Sequence, residues 1–448
     1  VAQNIAIVAG EPSGDLVGGM LALELRRLRP DVHLWGIGSR RLHAAGVELL
    51  YDSAAWGSIG VVEALRWYPA LRFRVYPRLV REIAARKSNL VILIDFGAFN
   101  MQVARWCAPR NVPVLYYFPP GSWRRNGRGG EELARLATFI ATPFPWSAQY
   151  LASLGGQVAF VGHPLLDAVR PKCTASEFAQ SLGLDATQPI VGLLPGSRRF
   201  EMTYNIPVML EAAARIRQRL PNAQFVFALA PTADLNRVTT QIRRWEERCT
   251  RRAALSPSAD QPPANRRRSV PSLVTPEGVL MTEEAFKHQR VPPVASKSAA
   301  GHPPIVVTQD RAYDVMAYSD VLLVCSGSAT LEAAIQGTPM VILYRGSRLM
   351  ELEYKVRRLH RIEHIGMPNI ICGRRVVPEL IQREATPEAL AEHALRYLLE
   401  PETRCATRAA LQEVRVALGE PGASARVARI AIEMLERTPT GRLSSQPC

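Results

Sequence analysis

The chain has 448 residues, 47% apolar and 21% charged, a make-up that fits a globular protein with more than one core and excludes a fibrous or low-complexity chain. Its formal charge of +15 is carried mainly by arginine, with lysine only at Lys87, Lys172, Lys287, Lys297 and Lys355; the sign fits an anionic lipid or a phosphorylated substrate, and equally an arginine-rich genomic base composition, and without any nucleic-acid module no nucleic acid is expected. Seven cysteines without CxxC or His-clustered spacing argue against a disulfide framework or a zinc site, and no run approaches the ~18 apolar residues of a membrane span.

In chain order, Ile5–Ala9 reads as a buried strand that ends in Gly10 and Gly14 before a helix beginning near Leu16. With no signal peptide ahead of that strand, a cytoplasmic location is expected. Trp56 to Arg86 crowds Trp56, Trp67, Tyr68, Phe73 and Tyr76 among Arg66, Arg72, Arg74, Arg78 and Arg81. Such a mixture suits the boundary between lipid headgroups and acyl chains, and equally an amphipathic helix pair packed on a sheet. Further strands fall at Val91–Ile94, Val114–Tyr117, Ile190–Leu194, Gln224–Leu229, Val321–Val324 and Met340–Tyr344. Strands alternating with helices in both halves predict two doubly wound parallel sheets.

The predicted domains are 1–168, 169–400 with an insertion at 243–302, and a 401–448 segment of helices and tail that leans back across the first domain. The insertion is rich in Pro, Ser, Ala and Arg without period and reads as disordered, as does the tail GRLSSQPC.

Two turns in the second half carry the chemistry. IVGLLPGSRR opens from a strand into Gly196-Ser197 and then Arg198, whose planar charged fork suits phosphate oxygens. VLLVCSGSATLEAAIQG runs from a strand through Ser326-Gly327-Ser328 into a helix, with a hydroxyl N-cap expected from the serines and a stop at Gly337. Free N–H groups and the positive helix end there suit a diphosphate, while Glu332 is placed to take ribose hydroxyls. The bland reading is a pair of ordinary capped helices. None of the turns is GxGxxG or a P-loop, so neither an NAD enzyme nor an NTPase is expected.

Taken together, AGEPSGD at 9–15, Ile94-Asp95 with Phe99-Asn100, FVGHPLLD at 160–167, LPGSRRFE at 194–201, CSGSATLEAA with TPMVILYR, and MPNIICGR followed by VPELIQ resemble the lipid-A-disaccharide synthase family. The resemblance covers nearly the whole chain outside the insertion and tail. It implies a glycosyltransferase-B fold, two Rossmann-like domains facing a central cleft, at the inner face of the cytoplasmic membrane. It implies transfer of 2,3-diacylglucosamine from its UDP derivative to the 6-hydroxyl of 2,3-diacylglucosamine 1-phosphate, with UDP as the second product and no cofactor or metal.

Carried onto this chain, the resemblance makes Asp95 the base and Arg198 the residue on the diphosphate. Gly196, Ser197, Ser326, Gly327, Ser328, Thr330, Glu332, Arg345 and Asn369 would complete the UDP-sugar site. Ser13, Asp15, Asn100, Trp123, Trp56, Trp67, Arg66, Arg72 and Arg74 would serve the acceptor and an anionic membrane surface. A homodimer is left open. His163, between Gly162 and Pro164, reads as a turn residue rather than an acid or base.

Two departures lie in the acceptor half. Ala98 stands where the family usually has a second acid, and PPGSWRRN keeps only Pro120 and Trp123 of a longer family run. A UDP-N-acetylglucosamine 2-epimerase, a related glycosyltransferase with another lipid acceptor, and a non-enzymatic UDP-sugar binder are the alternatives.

Overall fold

The computed structural model describes residues 3–54, 56, 69–122, 129–231, 233–255, 294–295, 305–346 and 363–436. Arg66, Trp67 and Trp123, most of the 243–302 insertion and the tail beyond residue 436 lie outside them. The chain divides into two units, Val1–Val169 with Gln412–Cys448, and Arg170–Leu411.

The first unit is built on β1 (Asn4–Ala9), β2 (His33–Gly38), β3 (Glu48–Asp52), β4 (Leu90–Ile94), β5 (Val114–Tyr117), β6 (Phe139–Thr142) and β7 (Val158–Phe160). They form one parallel sheet in the order β3-β2-β1-β4-β5-β6-β7. Strands such as LVILI are buried throughout because helices cover both faces. Ile5, Ile7 and Ile92 belong to the core on one face, Ala6, Val8, Val91 and Leu93 to the core on the other. The order reverses between β1 and β4, and at such a switch point the crevice outside the strand ends is where open α/β sheets bind ligands.

The C-terminal helix Ala423–Glu436 packs Val427, Ala428 and Ala431 into the same core as Leu21 and Leu25 of the helix Pro12–Leu28. The Asp167 carboxylate accepts from Gly422 N–H at 2.8 Å, and Arg426 donates to the Val161 carbonyl. The first helix begins at Pro12, earlier than the expected Leu16, because proline at a first turn needs no N–H partner.

The second unit holds β8 (Ile190–Leu194), β9 (Gln224–Leu229), β10 (Val294–Ala295), β11 (Ile305–Gln309), β12 (Val321–Cys325), β13 (Met340–Tyr344) and β14 (Glu379–Ile381). Their order is β10-β11-β9-β8-β12-β13-β14, parallel except for the antiparallel edge strand β10. Here the switch point falls between β8 and β12, the two strands that feed the Gly/Ser turns. One expectation fails locally. The helix Leu235–Leu255 carries regular structure past Arg243, since Val238, Ile242 and Trp245 recur at helical spacing and bury against this core.

Candidate functional site

At the end of β4, Asp95 and Phe96 both have φ of 48°, a left-handed conformation that costs a non-glycine residue roughly 1–3 kcal/mol. Three hydrogen bonds hold it. Asp95 N–H donates to the Tyr117 carbonyl at 3.2 Å, and the Asp95 carbonyl accepts from Asn100 Nδ2 at 2.9 Å and Tyr116 Oη at 3.0 Å.

Asn100 also reaches the carbonyls of Ile94 (3.2 Å) and Val8 (3.4 Å), so one amide ties the ends of β1 and β4 together. The Phe96 ring lies over Gly10, where a Cβ would come within 2.3 Å of it, and the Trp56 ring is stacked with it at 6.4 Å between centroids. Burial holds the Asp95 carboxyl above the usual aspartate range, partly offset by a backbone hydrogen bond at Phe96.

The acceptor residues expected from sequence divide. Asp15 is only 4% exposed and accepts from the N–H groups of Ser39, Arg41 and Leu42, so it caps the helix Arg40–Ala44 and is not available to a substrate. Asn100 is fully buried and acts on Asp95 rather than on a ligand. Ser13 is exposed at the start of the first helix.

Of the aromatic and basic segment, the helix Tyr76–Ala85 buries Leu79, Val80 and Ile83, while Arg72, Phe73 and Arg74 face outward on the π-helical turn Leu71–Val75. Phe73 is 71% exposed with the Arg72 guanidinium 6.0 Å from its ring, an arrangement in which cation and aromatic share one surface.

In the second unit Gly196 (φ 111°) makes the turn after β8, and a Cβ there would meet Glu201 Oε2 at 2.5 Å. Glu201 is 4% exposed. It accepts from Ser197 N–H at 2.9 Å, Arg198 N–H at 3.0 Å and the Arg198 guanidinium at 3.0 Å. The free N–H groups expected at this turn are therefore engaged by an internal carboxylate, and Arg198 is the group left to offer charge. The signal that could have found Glu201 is an acid in the first helical turn, three residues after Arg198, where a carboxylate reaches back to the N-cap N–H.

After β12 the cap is Gly327 (φ 154°, ψ −163°) rather than a serine hydroxyl. Gly327 and Ser328 are exposed at a helix N-terminus where the Thr330 N–H already donates to the Gly327 carbonyl at 3.1 Å. Ser326 donates to the Leu343 and Ile365 carbonyls. Glu332 lies on this helix beside the Ser328 hydroxyl, and burial pushes its carboxyl up to about 7. The Arg345 guanidinium donates to the Ala385 carbonyl at 3.4 Å.

Thr330 and Asn369 depart from expectation: both are fully buried. Thr330 accepts from Met367 N–H, and its hydroxyl donates to Gly327. The Asn369 amide is used on Val376, Val377 and Glu379, and Glu379 in turn accepts from Ile365 and Gly366 N–H. These side chains fix the loop that faces Ser326 and leave no polar atom for a nucleotide.

His163 is buried, accepts from Leu165 N–H at 3.2 Å and packs on Phe118 and Phe144, so it is part of the packing. Among the described residues no group of His, Cys, Asp or Glu could hold a metal ion. No helix among them is long and apolar enough to cross a membrane.

A family model described as Lipid-A-disaccharide synthetase matches residues 5–251 and 280–433. The chain is 39% identical to the lipid-A-disaccharide synthase of Geobacter metallireducens over 97% of both chains, and 38% identical to that of Geobacter sulfurreducens over the same shares. The synthase of Myxococcus xanthus is 33% identical over 98% of this chain and 99% of its own.

Among solved structures, a putative UDP-N-acetylglucosamine 2-epimerase from Listeria monocytogenes superposes with a TM-score of 0.57 at 14% identity over 100% of both chains. A glycosyltransferase from Rickettsia africae gives 0.51 at 10% identity over 98% of this chain and 99% of its own. At such identities these likenesses bear on the fold alone, which is two parallel-sheet α/β units.

Proposed function

The chain belongs to the lipid-A-disaccharide synthase family of glycosyltransferases, and from that premise we propose the reaction and the residues that perform it. The donor is UDP-2,3-diacylglucosamine and the acceptor 2,3-diacylglucosamine 1-phosphate. The acceptor 6-hydroxyl attacks the anomeric carbon of the donor as the bond from that carbon to the β-phosphate oxygen breaks. The electron pair leaves with UDP, the configuration inverts, and the hydroxyl proton passes to a base.

Asp95 is that base. The observation that carries the assignment is the pair of strained residues at the end of β4, held open by Tyr116 and Asn100 at a switch point of the sheet. Burial raises the carboxyl toward the range in which a general base is effective near neutral pH. Arg198, whose Nη1 is held by Glu201, donates to the departing diphosphate through Nε and Nη2, and the helix N-terminus at Gly327 and Ser328 follows the neighbouring strand β12. Glu332 accepts from the ribose hydroxyls.

The outward Arg72, Phe73 and Arg74 suit an anionic membrane surface, which would place the enzyme peripherally at the inner face of the cytoplasmic membrane. The test is a turnover assay on purified protein with both lipid substrates, followed by mass spectrometry. A tetra-acyl disaccharide phosphate and UDP are expected. UDP-sugar binding without that product would point to another lipid acceptor, in keeping with Ala98 and the altered 119–126 segment.

A further inference from the structure

A cavity of about 370 Å³ opens in the first unit, lined by the start of the helix Gly97–Cys107, the turn at Pro119–Ser122 and the helices Gly130–Leu136 and Pro145–Ser153. Its volume is in the range of small-molecule sites. One edge, Gly97 and Ala98, follows Asp95 by two and three residues. Nothing in the assigned reaction residues uses it.

We propose that this cavity receives a fatty acyl chain of the acceptor lipid and sets which chain lengths are accepted, an inference that rests on the reaction proposed above. Two observations favour a hydrocarbon over an anion or a sugar ring. Met101, Pro120, Leu133, Tyr150 and Leu151 supply carbon surface. Among the described residues the cation in the lining is Arg105, and it is paired: its Nε and Nη2 donate to the two Glu132 oxygens at 2.7 and 2.8 Å.

Gly130 lets its helix pack closely on the next one, since a Cβ there would come within 2.7 Å of Tyr150 and 2.8 Å of Leu154. A chain entering past Gly97 and Pro120 would leave its sugar beside Asp95. Each buried methylene would then strengthen acceptor binding roughly fourfold.

The test compares acceptors carrying tetradecanoyl and butanoyl chains at saturating donor, for the full chain and for Gln102→Phe and Met101→Ala, one narrowing and one widening the lining. Gln102→Phe is expected to cut the kcat/KM ratio of long over short acceptor by about tenfold or more, with the KM for the UDP donor unmoved. Met101→Ala should shift the preference toward longer chains. A diazirine-tagged tetradecanoyl acceptor should crosslink to peptides containing Met101, Leu133 or Tyr150.

Equal losses on both acceptors would overturn the inference and assign the cavity to the sugar, and crosslinks confined to other segments would overturn it as well. Should the unmodified protein make no disaccharide from either acceptor, the reaction itself fails. If it makes disaccharide but chain preference ignores both substitutions, only the cavity assignment fails.

Discussion

The Tyr116 hydroxyl donates to the Asp95 carbonyl at 3.0 Å, which makes a buried phenol on β5 the clamp for a strained residue at the end of β4. Burial pushes the Tyr116 phenol far above its ordinary value, so it remains a donor at any working pH. The clamp holds the carbonyl and not the carboxylate, which is met by a backbone hydrogen bond at Phe96.

Removing that one donor should loosen the geometry without touching the nucleotide. Tyr116→Phe is expected to lower kcat by about tenfold and stability by about 1 kcal/mol, while the Kd for UDP stays within about twofold. Steady-state kinetics, UDP calorimetry and a urea midpoint measure all three. Unchanged kcat with lowered stability would reduce Tyr116 to a packing role.

Glu332 gives a pH-dependent affinity. With its carboxyl at about 7 in the free protein, it offers both ribose hydroxyls a charged acceptor only once ionised. Binding of uridine, which lacks phosphates that would titrate in this range, should tighten by about tenfold from about pH 6 to about pH 8. In Glu332→Gln the dependence should vanish and the affinity stay at or below the low-pH value. A flat profile in the unmodified protein would remove the ribose contact.

Glu201 holds the β8 turn and the Arg198 fork together. Glu201→Gln keeps an acceptor but loses the charge, and UDP affinity should fall by about tenfold as Arg198 wanders. If Glu201 acts through Arg198, its effect should shrink to about twofold in an Arg198→Ala background, which a double-mutant cycle on UDP binding reads directly. Additive losses would mean that Glu201 shapes the turn independently of the guanidinium.

His163 makes the fold acid-sensitive. Burial lowers its imidazole to about 3, so between that value and the unfolded value near 6.5 only the unfolded chain takes up its proton. Stability is therefore lost as pH falls below about 6.5, at up to about 1.4 kcal/mol per pH unit. In His163→Asn, whose Oδ1 can accept the Leu165 N–H, urea midpoints should change less between pH 6.5 and 5. An identical slope would assign the acid sensitivity to other groups.

Strands that are long continuous apolar runs, as in Leu90–Ile94 and Val321–Cys325, were legible in the sequence, whereas the buried β2, β6 and β11 were not, since glycines interrupt HLWGIG, while FIAT and IVVTQ end on polar residues. Short or half-exposed strands such as β3, β7 and β14 were not, since Glu48–Asp52 or Glu379–Ile381 carry too few apolar residues to stand out. The motif residues were found, but their tasks were harder to separate. Asp15, Asn100, Thr330 and Asn369 share polarity with true ligands, and only their backbone partners show that they hold loops. Tyr116 left no trace, because its role depends on a neighbour 21 residues away across the sheet.

The central claim is that Asp95 takes the acceptor proton, and Asp95→Asn tests it with the least change of shape. In the two-substrate assay the variant should lose about a thousandfold in kcat, within the range expected for removal of a general base, with the UDP Kd within about twofold. The acidic limb of the unmodified enzyme's kcat/KM profile should sit above the ordinary aspartate range. Near-normal disaccharide formation by Asp95→Asn would contradict the assignment and leave the strained turn at the end of β4 without its proposed task.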